Sequence, residues 1–470
     1  MMNRNTQREL IKLLWQLNDI CQAMDWQNQQ QKNMVLDILG YVCAKCSHDF
    51  SRQKAEQYEE ILQGLGHVIQ DMNWNHMQAA EKRESLNLFQ DIITQLTDNL
   101  RHEQEIKKEI VFLPYKVSMW DSLESIWQAA YTDKEHCNTY VIPIPYCERN
   151  ADFSIAKWYW EKDQFPDYVP TLDCRLYTWE KLKEMEPDVI FIHNPYDGCN
   201  IVTSIDEQYY SANLKKCTKL LIYIPYFITK WKVDVAKCNA PGVVNADYVI
   251  VQDELIGKWY KEHYMISEDR DKFIVLGSPK VDKVRNAKKC DYPLPTGWTV
   301  LMENKYVIFF NITFHGFLKH NNEFLQHLKR LFTALEHNPK ILLWWRPHPL
   351  LDSGLKSIHP ELVMEYQNLK AFYLKKKIGL YDEFPDFYPG FVWSDAYYGD
   401  ESSLFTLYQC MGKPTRLINY EEENINNIEI VLEDIIKQIE TGTIKLKRNV
   451  NDTIPHHAGV NIYNWVKNMR

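Results

Sequence analysis

The segment WWRPHPLL, residues 344–351, places an arginine and a histidine at the end of an apolar run. Arg346 and His348 alternate with Pro347 and Pro349, and proline fixes the backbone torsion φ and removes a backbone donor. Such a turn is stiff, so both side chains should point in reproducible directions. A guanidinium and an imidazole held together suit phosphate binding or proton transfer. We therefore predict that Arg346 binds phosphate and that His348 takes part in catalysis.

A second polar segment, GDESSLF at residues 399–405, joins an apolar run to a helical pattern. Ser402 and Ser403 fall at the predicted helix N-terminus, where unpaired N–H groups and the helix dipole favour an anion. Asp400 and Glu401 would repel a phosphate unless they contact ribose hydroxyls or a cation. The segment fits a phosphate and nucleoside site, and it fits plain helix capping equally well.

Polar residues also follow apolar runs in the first half of the chain. In FIHNPYDGCN, residues 191–200, His193 lies near Asp197, and such a pair could act as a general base. A purely structural turn is the alternative. In GSPKVDKV, residues 277–284, Lys280 should project near the cleft between the two predicted sheets, with an ordinary turn into a linker as the alternative.

Short apolar runs separated by helical patterns fill the chain from residue 109 onward. Because the runs are continuous, we expect parallel sheets that are buried on both faces. A Pro- and Gly-marked stretch, CDYPLPTGW (290–298), divides them into two sets. We therefore predict an α/β fold with two Rossmann-type domains, 109–289 and 290–470, that face a cleft. The runs are IVFLPY (110–115), YVIPIPY (140–146), DVIFIH (188–193), KLLIYIP (219–225), DYVIVQ (247–252) and KFIVLG (272–277), then YVIFFN (306–311), KILLWWRP (340–347), GFVWSDAY (390–397) and TRLIN (415–419).

Residues 1–108 differ from the rest of the chain. They contain no proline, and Leu10, Leu14 and Leu17 recur at helical spacing. This pattern predicts an all-α region of amphipathic helices, either a small bundle or a coiled-coil-like arm. We expect it to serve in assembly or docking, for example in forming a homo-oligomer.

Composition narrows the class of protein. The formal net charge of −9 over 470 residues argues against a nucleic-acid partner. The first twenty residues are too polar for a signal peptide, and no apolar run is long enough for a membrane span. These features predict a cytoplasmic protein, with peripheral contact at the inner membrane face as an option. We see no acidic metal cluster, and we expect no cofactor and no obligatory metal.

Five segments together resemble the CDP-glycerol glycerophosphotransferase family of teichoic-acid synthesis, which has a GT-B fold. The resemblance covers about residues 185–420 and is strongest after 245. The segments are NADYVIVQDELIGKWY (245–260), FIVLGSPKVDKV (273–284), YVIFFNITF (306–314), LLWWRPHP (342–349) and SDAYYGDESSLFTLYQCMGKPTRLIN (394–419).

The resemblance implies a CDP-activated donor bound between the sheets. It implies that His348 lies against the donor phosphates and that Ser402 and Ser403 contact the diphosphate. Lys280 stands where the family usually has an arginine, and the resemblance implies that it also binds the donor phosphates. One departure matters: the family's His-Gly-Thr-Pro segment, whose histidine is the expected base, is replaced by Pro225, Tyr226 and Phe227.

From these observations we predict a transferase that moves glycerol phosphate, or a related alditol phosphate, from a CDP-linked donor to a hydroxyl of a glycan or polyol-phosphate acceptor, with release of CMP. A glycosyltransferase or a sugar-nucleotide epimerase on the same fold is the nearest alternative. A non-catalytic nucleotide-binding scaffold is the alternative from another class, and the missing histidine segment favours it.

Overall fold

The computed structural model describes residues 1–71, 74–150, 152–348, 351–420, 428–442 and 450–469. The chain divides into two compact units. The first unit comprises Met1–Val111, Ala130–Tyr140 and Met185–Val189, and the second comprises Phe112–Ala129, Val141–Glu184 and Ile190–Arg470.

The N-terminal region of the first unit is all-α, as predicted, and its helices share a hydrophobic core. The apolar residues that recur along the first helix, Leu10, Leu14 and Leu17, are completely buried there. Gln7 at this interface donates from Nε2 to the carbonyl of Leu100 at 2.5 Å, so the buried amide has a partner. The helices are α1 (Arg4–Ala23), α2 (Gln29–Asp49), α3 (Arg52–Asp71) and α4 (Ala79–Arg101), with α1 packed on α4 and α2 on α3.

The predicted apolar runs of the first set become strands. In the larger sheet the strand order is β2-β1-β5-β7-β8-β9, and β8 pairs in parallel with both β7 and β9. The strands of this half of the chain are β1 (Lys108–Leu113), β2 (Cys137–Val141), β3 (Tyr146–Arg149), β4 (Ile155–Tyr159), β5 (Val189–Ile192), β6 (Thr203–Ile205), β7 (Leu220–Tyr223), β8 (Tyr248–Val251) and β9 (Phe273–Val275).

A small antiparallel sheet, of order β4-β3-β6, was not predicted. The run YVIPIPY reads as one strand, but β2 ends at Val141 and β3 begins at Tyr146. Pro143 and Pro145 separate them, because proline cannot donate to a strand ladder. The edge strand β4 is largely exposed, which hides it from a search for apolar runs.

The second sheet is parallel throughout, with order β12-β11-β10-β13-β14. It is buried on both faces, as predicted, since Phe309 and Phe310 belong to two different core clusters. Its strands are β10 (Tyr306–Ile312), β11 (Ile341–Pro347), β12 (Gly379–Tyr381), β13 (Ala396–Gly399) and β14 (Thr415–Leu417).

The prediction of a strand over 390–397 was wrong in part. Tyr388–Trp393 forms a short helix, and only Ala396–Gly399 is a strand. Pro389 occupies the first turn of that helix, where a missing N–H costs nothing. Gly390 faces the ring of Phe309, and a Cβ there would lie 2.3 Å from ring atom Cε2, so the helix needs glycine to approach the sheet.

The segment GSPKVDKV also forms a helix rather than a linker turn. Its Asp282 accepts hydrogen bonds from the backbone N–H groups of Ala458 and Gly459, at 3.0 and 2.8 Å, so the last helix of the chain packs on it. The remaining helices are α5 (Glu124–Thr132), α6 (Trp179–Met185), α7 (Ser211–Leu214), α8 (Val235–Cys238), α9 (Pro241–Asn245), α10 (Glu254–His263), α11 (Pro279–Asn286), α12 (Trp298–Met302), α13 (Phe314–Glu336), α14 (Leu351–Ile358), α15 (Val363–Lys376), α16 (Tyr388–Trp393), α17 (Ser403–Gln409), α18 (Ile428–Thr441) and α19 (Ala458–Asn468).

Candidate functional site

The carboxyl edge of the second sheet brings the RPHP and GDESS segments close together. Asn311 at the end of β10 is in register with Arg346 of β11 on one side and with Gly399 of β13 on the other. Neighbouring strands lie about 4.8 Å apart, so the two segments are separated by about 10 Å across this edge. Asn311 also donates from Nδ2 to the carbonyl of Arg346 at 2.9 Å, which ties the two strand ends to each other.

Arg346 is held by an acidic partner that the sequence analysis missed. Its Nη1 donates to Oδ1 of Asp382 at 3.0 Å, and both residues are buried. The other carboxylate oxygen of Asp382 accepts from Nε1 of Trp344 at 2.8 Å. Asp382 follows β12, a strand of three residues that is too short to show as an apolar run. The carboxylate fixes the direction of the guanidinium.

A cavity of about 190 Å³ opens beside this arginine. His348 lies on its wall and is half-buried, and burial lowers the pKa of its imidazole from the ordinary value. At neutral pH the ring is therefore uncharged and can either donate or accept one hydrogen bond. Pro349 of the predicted turn lies outside the described residues. The aromatic and polar lining includes Arg346, His348, Tyr366, Tyr381, Glu383 and Phe384.

Ser402 caps helix α17, as one of the two interpretations predicted. Its Oγ accepts from the backbone N–H of Phe405 at 3.1 Å, and it lies 3.5 Å from the hydroxyl of Tyr397. Ser403 is the first residue of the helix and is exposed. The two serines are thus different: one supports the helix end, and the other presents its hydroxyl to solvent.

Asp400 is used to shape a neighbouring turn. Its Oδ2 accepts from the backbone N–H of Thr313 at 2.9 Å and from the Thr313 hydroxyl at 3.1 Å. A Cβ at Gly316 would lie 1.8 Å from the same oxygen, so only glycine fits there. Glu401 is exposed. A ribose contact therefore suits Glu401 better than Asp400.

The N-terminus of helix α13 lies at the end of β10, between the two segments, and the sequence analysis missed it. Helix α13 begins at Phe314, directly after Thr313, and runs for 23 residues. Thr313 is its N-cap and accepts from the N–H of Gly316 at 2.8 Å. A threonine three residues before a glycine at a strand end was the available signal.

Lys280 lies in a buried contact rather than in the cavity beside Arg346. Its Nζ donates to Oδ2 of Asp121 at 2.6 Å, and the same oxygen accepts from the hydroxyl of Tyr388 at 2.7 Å. All three residues are buried. Asp121 follows the first strand of the first sheet, whereas Tyr388 begins α16 beside the second sheet. The cluster therefore joins the two α/β halves of the second unit.

His193 is completely buried, and both ring nitrogens have partners. Nε2 accepts from the N–H of Tyr115 at 3.1 Å, and Nδ1 lies 3.1 Å from the carbonyl of Met119 and 3.0 Å from the hydroxyl of Ser122. Burial lowers the pKa of the ring to about 4. These contacts are those of a neutral ring that fixes the chain around it.

Asp197 is also buried, and it holds the start of helix α7. Its carboxylate accepts from the N–H of Ser211 at 3.0 Å and from the Ser211 hydroxyl at 2.6 Å. Burial is the largest influence on this carboxyl group and raises its pKa. His193 and Asp197 do not contact each other through the hydrogen bonds of the described chain, so the structure does not assemble them as a pair.

The described residues contain no cluster of three or more histidine, cysteine, aspartate or glutamate side chains placed to hold a metal ion. Among the same residues, no helix is both long enough and apolar enough to cross a membrane.

Two α/β sheets with polar strand ends, one of them beside a cavity, place the chain in the α/β class with two Rossmann-like halves. Residues 235–424 match the family described as CDP-Glycerol:Poly(glycerophosphate) glycerophosphotransferase. The match includes Lys280, Arg346, His348 and both serines. It confirms the family resemblance predicted from the sequence over these residues.

Several solved structures are similar to the chain at low identity. The wall teichoic acid polymerase TagF is 14% identical, with 83% of this chain and 97% of that chain covered and a TM-score of 0.44. A putative UDP-N-acetylglucosamine 2-epimerase from Listeria monocytogenes is 12% identical, with 76% and 94% covered and a TM-score of 0.48. UDP-GlcNAc 2-epimerase from Neisseria meningitidis is 11% identical, with 76% and 99% covered and a TM-score of 0.48. No curated protein matches the sequence.

Proposed function

We propose that the chain transfers glycerol phosphate, or a related alditol phosphate, from a CDP-linked donor to a hydroxyl group in the synthesis of a cell-surface polymer. The acceptor oxygen attacks the β-phosphorus of the donor, a new P–O bond forms, the bond to the leaving CMP breaks, and the proton of the acceptor hydroxyl is released to solvent. The acceptor is a glycan or a polyol phosphate. The family match over residues 235–424 supports the reaction type.

The observation that carries the proposal is the cavity beside Arg346 and His348. The strand that ends at Asn311 lies between this cavity and the serine segment, with one neighbouring strand on each side. A nucleoside diphosphate needs a pocket for the nucleoside and hydrogen-bond donors for the phosphates a few ångströms away. The cavity lined by Tyr381 and Phe384 suits the nucleoside. Arg346 and the α13 and α17 helix ends offer the donors.

Catalysis in this arrangement rests on positioning and on stabilisation of charge. Arg346, fixed by Asp382, places a guanidinium group beside the cavity and offers its remaining N–H donors there. His348 is neutral at neutral pH and donates a hydrogen bond to a phosphate oxygen. Lys280 is paired with Asp121, and we therefore assign it chiefly to holding the two α/β halves together.

A non-catalytic nucleotide-binding scaffold is the second candidate, because Pro225, Tyr226 and Phe227 stand where the family's His-Gly-Thr-Pro segment is expected. It shares the nucleotide site and differs only in lacking turnover. Homo-oligomerisation through α1–α4 and peripheral membrane association stay predictions under either candidate.

The test combines nucleotide binding with turnover. The full chain is titrated calorimetrically with CDP and with UDP, and it is then incubated with CDP-glycerol and a synthetic glycerol-phosphate oligomer while CMP is quantified. We expect CDP to bind at least 10-fold tighter than UDP and CMP to accumulate in proportion to chain extension. CDP binding without CMP release would favour the scaffold. Turnover of UDP-N-acetylglucosamine instead would identify a sugar-nucleotide enzyme.

A further inference from the structure

Two tyrosine hydroxyl groups meet at the carboxyl edge of the first sheet. The hydroxyl oxygens of Tyr196 and Tyr226 are 3.1 Å apart, and both side chains are half-buried. Tyr196 follows β5 and Tyr226 follows β7, and these strands are neighbours in the sheet. Ligands of open α/β sheets bind beyond the carboxyl ends of the strands, so the pair occupies a position that suits a substrate group.

The tyrosine pair retains one hydrogen-bond donor and one acceptor after its mutual hydrogen bond is formed. Two phenol groups carry two protons, and their mutual hydrogen bond uses one of them. Within the described part of the chain, neither hydroxyl makes another hydrogen bond. One O–H donor and an acceptor oxygen are thus available side by side, which is the arrangement that binds an alcohol group.

Tyr196 lies on a rigid turn between His193 and Asp197, the two residues that the sequence offered as a general-base pair. His193 anchors the chain just before the turn through its contacts with Tyr115 and Ser122. Asp197, with a positive φ of 49°, anchors the chain just after the turn through Ser211. These buried anchors on either side of Tyr196 restrict its ring to one direction.

The underside of the same turn is also closed. The N–H of Gly242 donates to the carbonyl of Pro195 at 2.7 Å, and a Cβ at Gly242 would lie 2.8 Å from the Cα of Pro195. The N–H of Tyr196 donates to Oδ1 of Asn194 at 3.1 Å. The turn therefore cannot relax toward α9.

Tyr226 lies on a loop that is fixed at its far end and extends toward the second sheet. The side-chain amide of Gln252 both donates to the carbonyl of Thr229 and accepts from its N–H, at 2.8 and 3.0 Å. The ammonium group of Lys230 lies 5.2 Å from the ring centroid of Phe405, in the first turn of α17. The loop thus passes from the tyrosine pair to the helix that follows the serine segment.

We propose that Tyr196 and Tyr226 together bind and orient the attacking hydroxyl of a polyol or glycan acceptor. The inference rests on the proposed transferase function and names the acceptor side of the same site. Burial and the hydrogen bond to Tyr226 raise the pKa of Tyr196, so this phenol stays protonated and acts as a donor. The pair takes no proton from the acceptor; it holds the acceptor oxygen in line with the donor phosphorus.

The test removes each hydroxyl and keeps the ring. Tyr226→Phe and Tyr196→Phe are compared with the wild-type chain, with Tyr159→Phe as the matched control, because the Tyr159 hydroxyl bonds Glu148 on the small antiparallel sheet. CDP-glycerol is the donor and a synthetic glycerol-phosphate oligomer is the acceptor. We expect kcat/KM for the oligomer to fall about 10-fold in each pair variant, mostly through KM, since one hydrogen bond is lost. CDP affinity by calorimetry should stay at the wild-type value.

Each outcome decides between the two claims. If wild-type CMP release is acceptor-dependent and both pair variants match it, the tyrosine assignment is overturned while the transferase function stands. A pair variant with weakened CDP binding would also overturn the assignment, because it would place the tyrosines on the donor. If the wild-type chain binds CDP but leaves CDP-glycerol intact, the transferase function fails, and the acceptor assignment falls with it.

Discussion

The two α/β halves of the second unit carry similar polar groups at the carboxyl ends of their strands, yet they use them differently. In the first half, His193, Asp197 and Lys280 are buried, and each is bound to a neighbouring side chain or backbone group. In the second half, His348 is half-buried on the wall of a cavity, and Ser403 is exposed.

The difference shows that polar residues at the end of a strand can either fix the chain or present a side chain at a cavity or at the surface. Buried polar groups must be satisfied by hydrogen bonds, so a dense polar turn is often a way of fixing the chain. At the first sheet that fixing presents Tyr196, whose hydroxyl bonds the hydroxyl of Tyr226, between two fully occupied anchors. At the second sheet the anchor is Asp382, and the presented groups are Arg346 and His348. In both halves a buried acidic residue fixes the chain or the side chain beside the presented group.

If buried polar groups hold the two halves together, the largest loss of stability should come from replacing Asp121. Replacing this residue with alanine leaves the ammonium of Lys280 buried without its carboxylate and removes the partner of the Tyr388 hydroxyl. Removing one member of a buried ion pair typically costs about 3–5 kcal/mol. We expect Asp121→Ala to lower the free energy of unfolding by that amount in urea denaturation monitored by tryptophan fluorescence.

A matched control is Glu262→Ala, which breaks the exposed pair with Lys258 on α10. Exposed pairs contribute at most about 1 kcal/mol, so this variant should unfold close to the wild type. If Asp121→Ala were no more destabilising than Glu262→Ala, the buried cluster would not be what holds the two halves together, and Lys280 would become available for the donor phosphates again.

The next effect in size concerns His348. Its side chain lies on the cavity wall, so His348→Ala removes little packing and should leave the melting temperature nearly unchanged. Loss of one group that stabilises transition-state charge commonly lowers turnover by about 100-fold, and we expect that drop in CMP release. His48→Ala, which removes an exposed imidazole on α2, should retain wild-type turnover. Near-normal release by a folded His348→Ala variant would contradict the catalytic assignment and leave the two sheet edges functionally alike.

How far the sequence predicts this architecture depends on the length of each signal. The runs YVIFFN and KILLWWRP are long and continuous, and β10 and β11 lie where they were predicted. The strand β12 has only three residues, so the sequence did not reveal it. The role of Asp382, which directly follows β12, could therefore not be inferred either. For the same reason the anchor of Arg346 was missed although Arg346 itself was found.

The roles of the polar residues were harder to predict than their positions. His193 and Asp197 satisfy every requirement of a catalytic pair in the sequence, which gives residue types and spacing but no burial. Asp400 was placed correctly beside the serines, yet its oxygen points at Thr313, a contact made across 87 positions in the chain. Contacts of this range depend on strand register, which apolar runs alone do not determine.

The smallest predicted effect separates the two serines at the second sheet edge. Ser402 caps α17, so Ser402→Ala should cost about 1 kcal/mol of stability whatever its role in binding. Ser403 is exposed and is not the cap, so Ser403→Ala should change stability by less than about 0.5 kcal/mol. If the segment binds the donor diphosphate, Ser403→Ala should nevertheless weaken CDP binding about 10-fold, because a hydrogen bond to a charged oxygen is lost. Calorimetry with CDP and thermal unfolding of both variants measure the two quantities independently. Unchanged CDP affinity in Ser403→Ala, together with a destabilised Ser402→Ala, would make the segment a helix cap alone and would restrict the phosphate site to Arg346 and the start of α13.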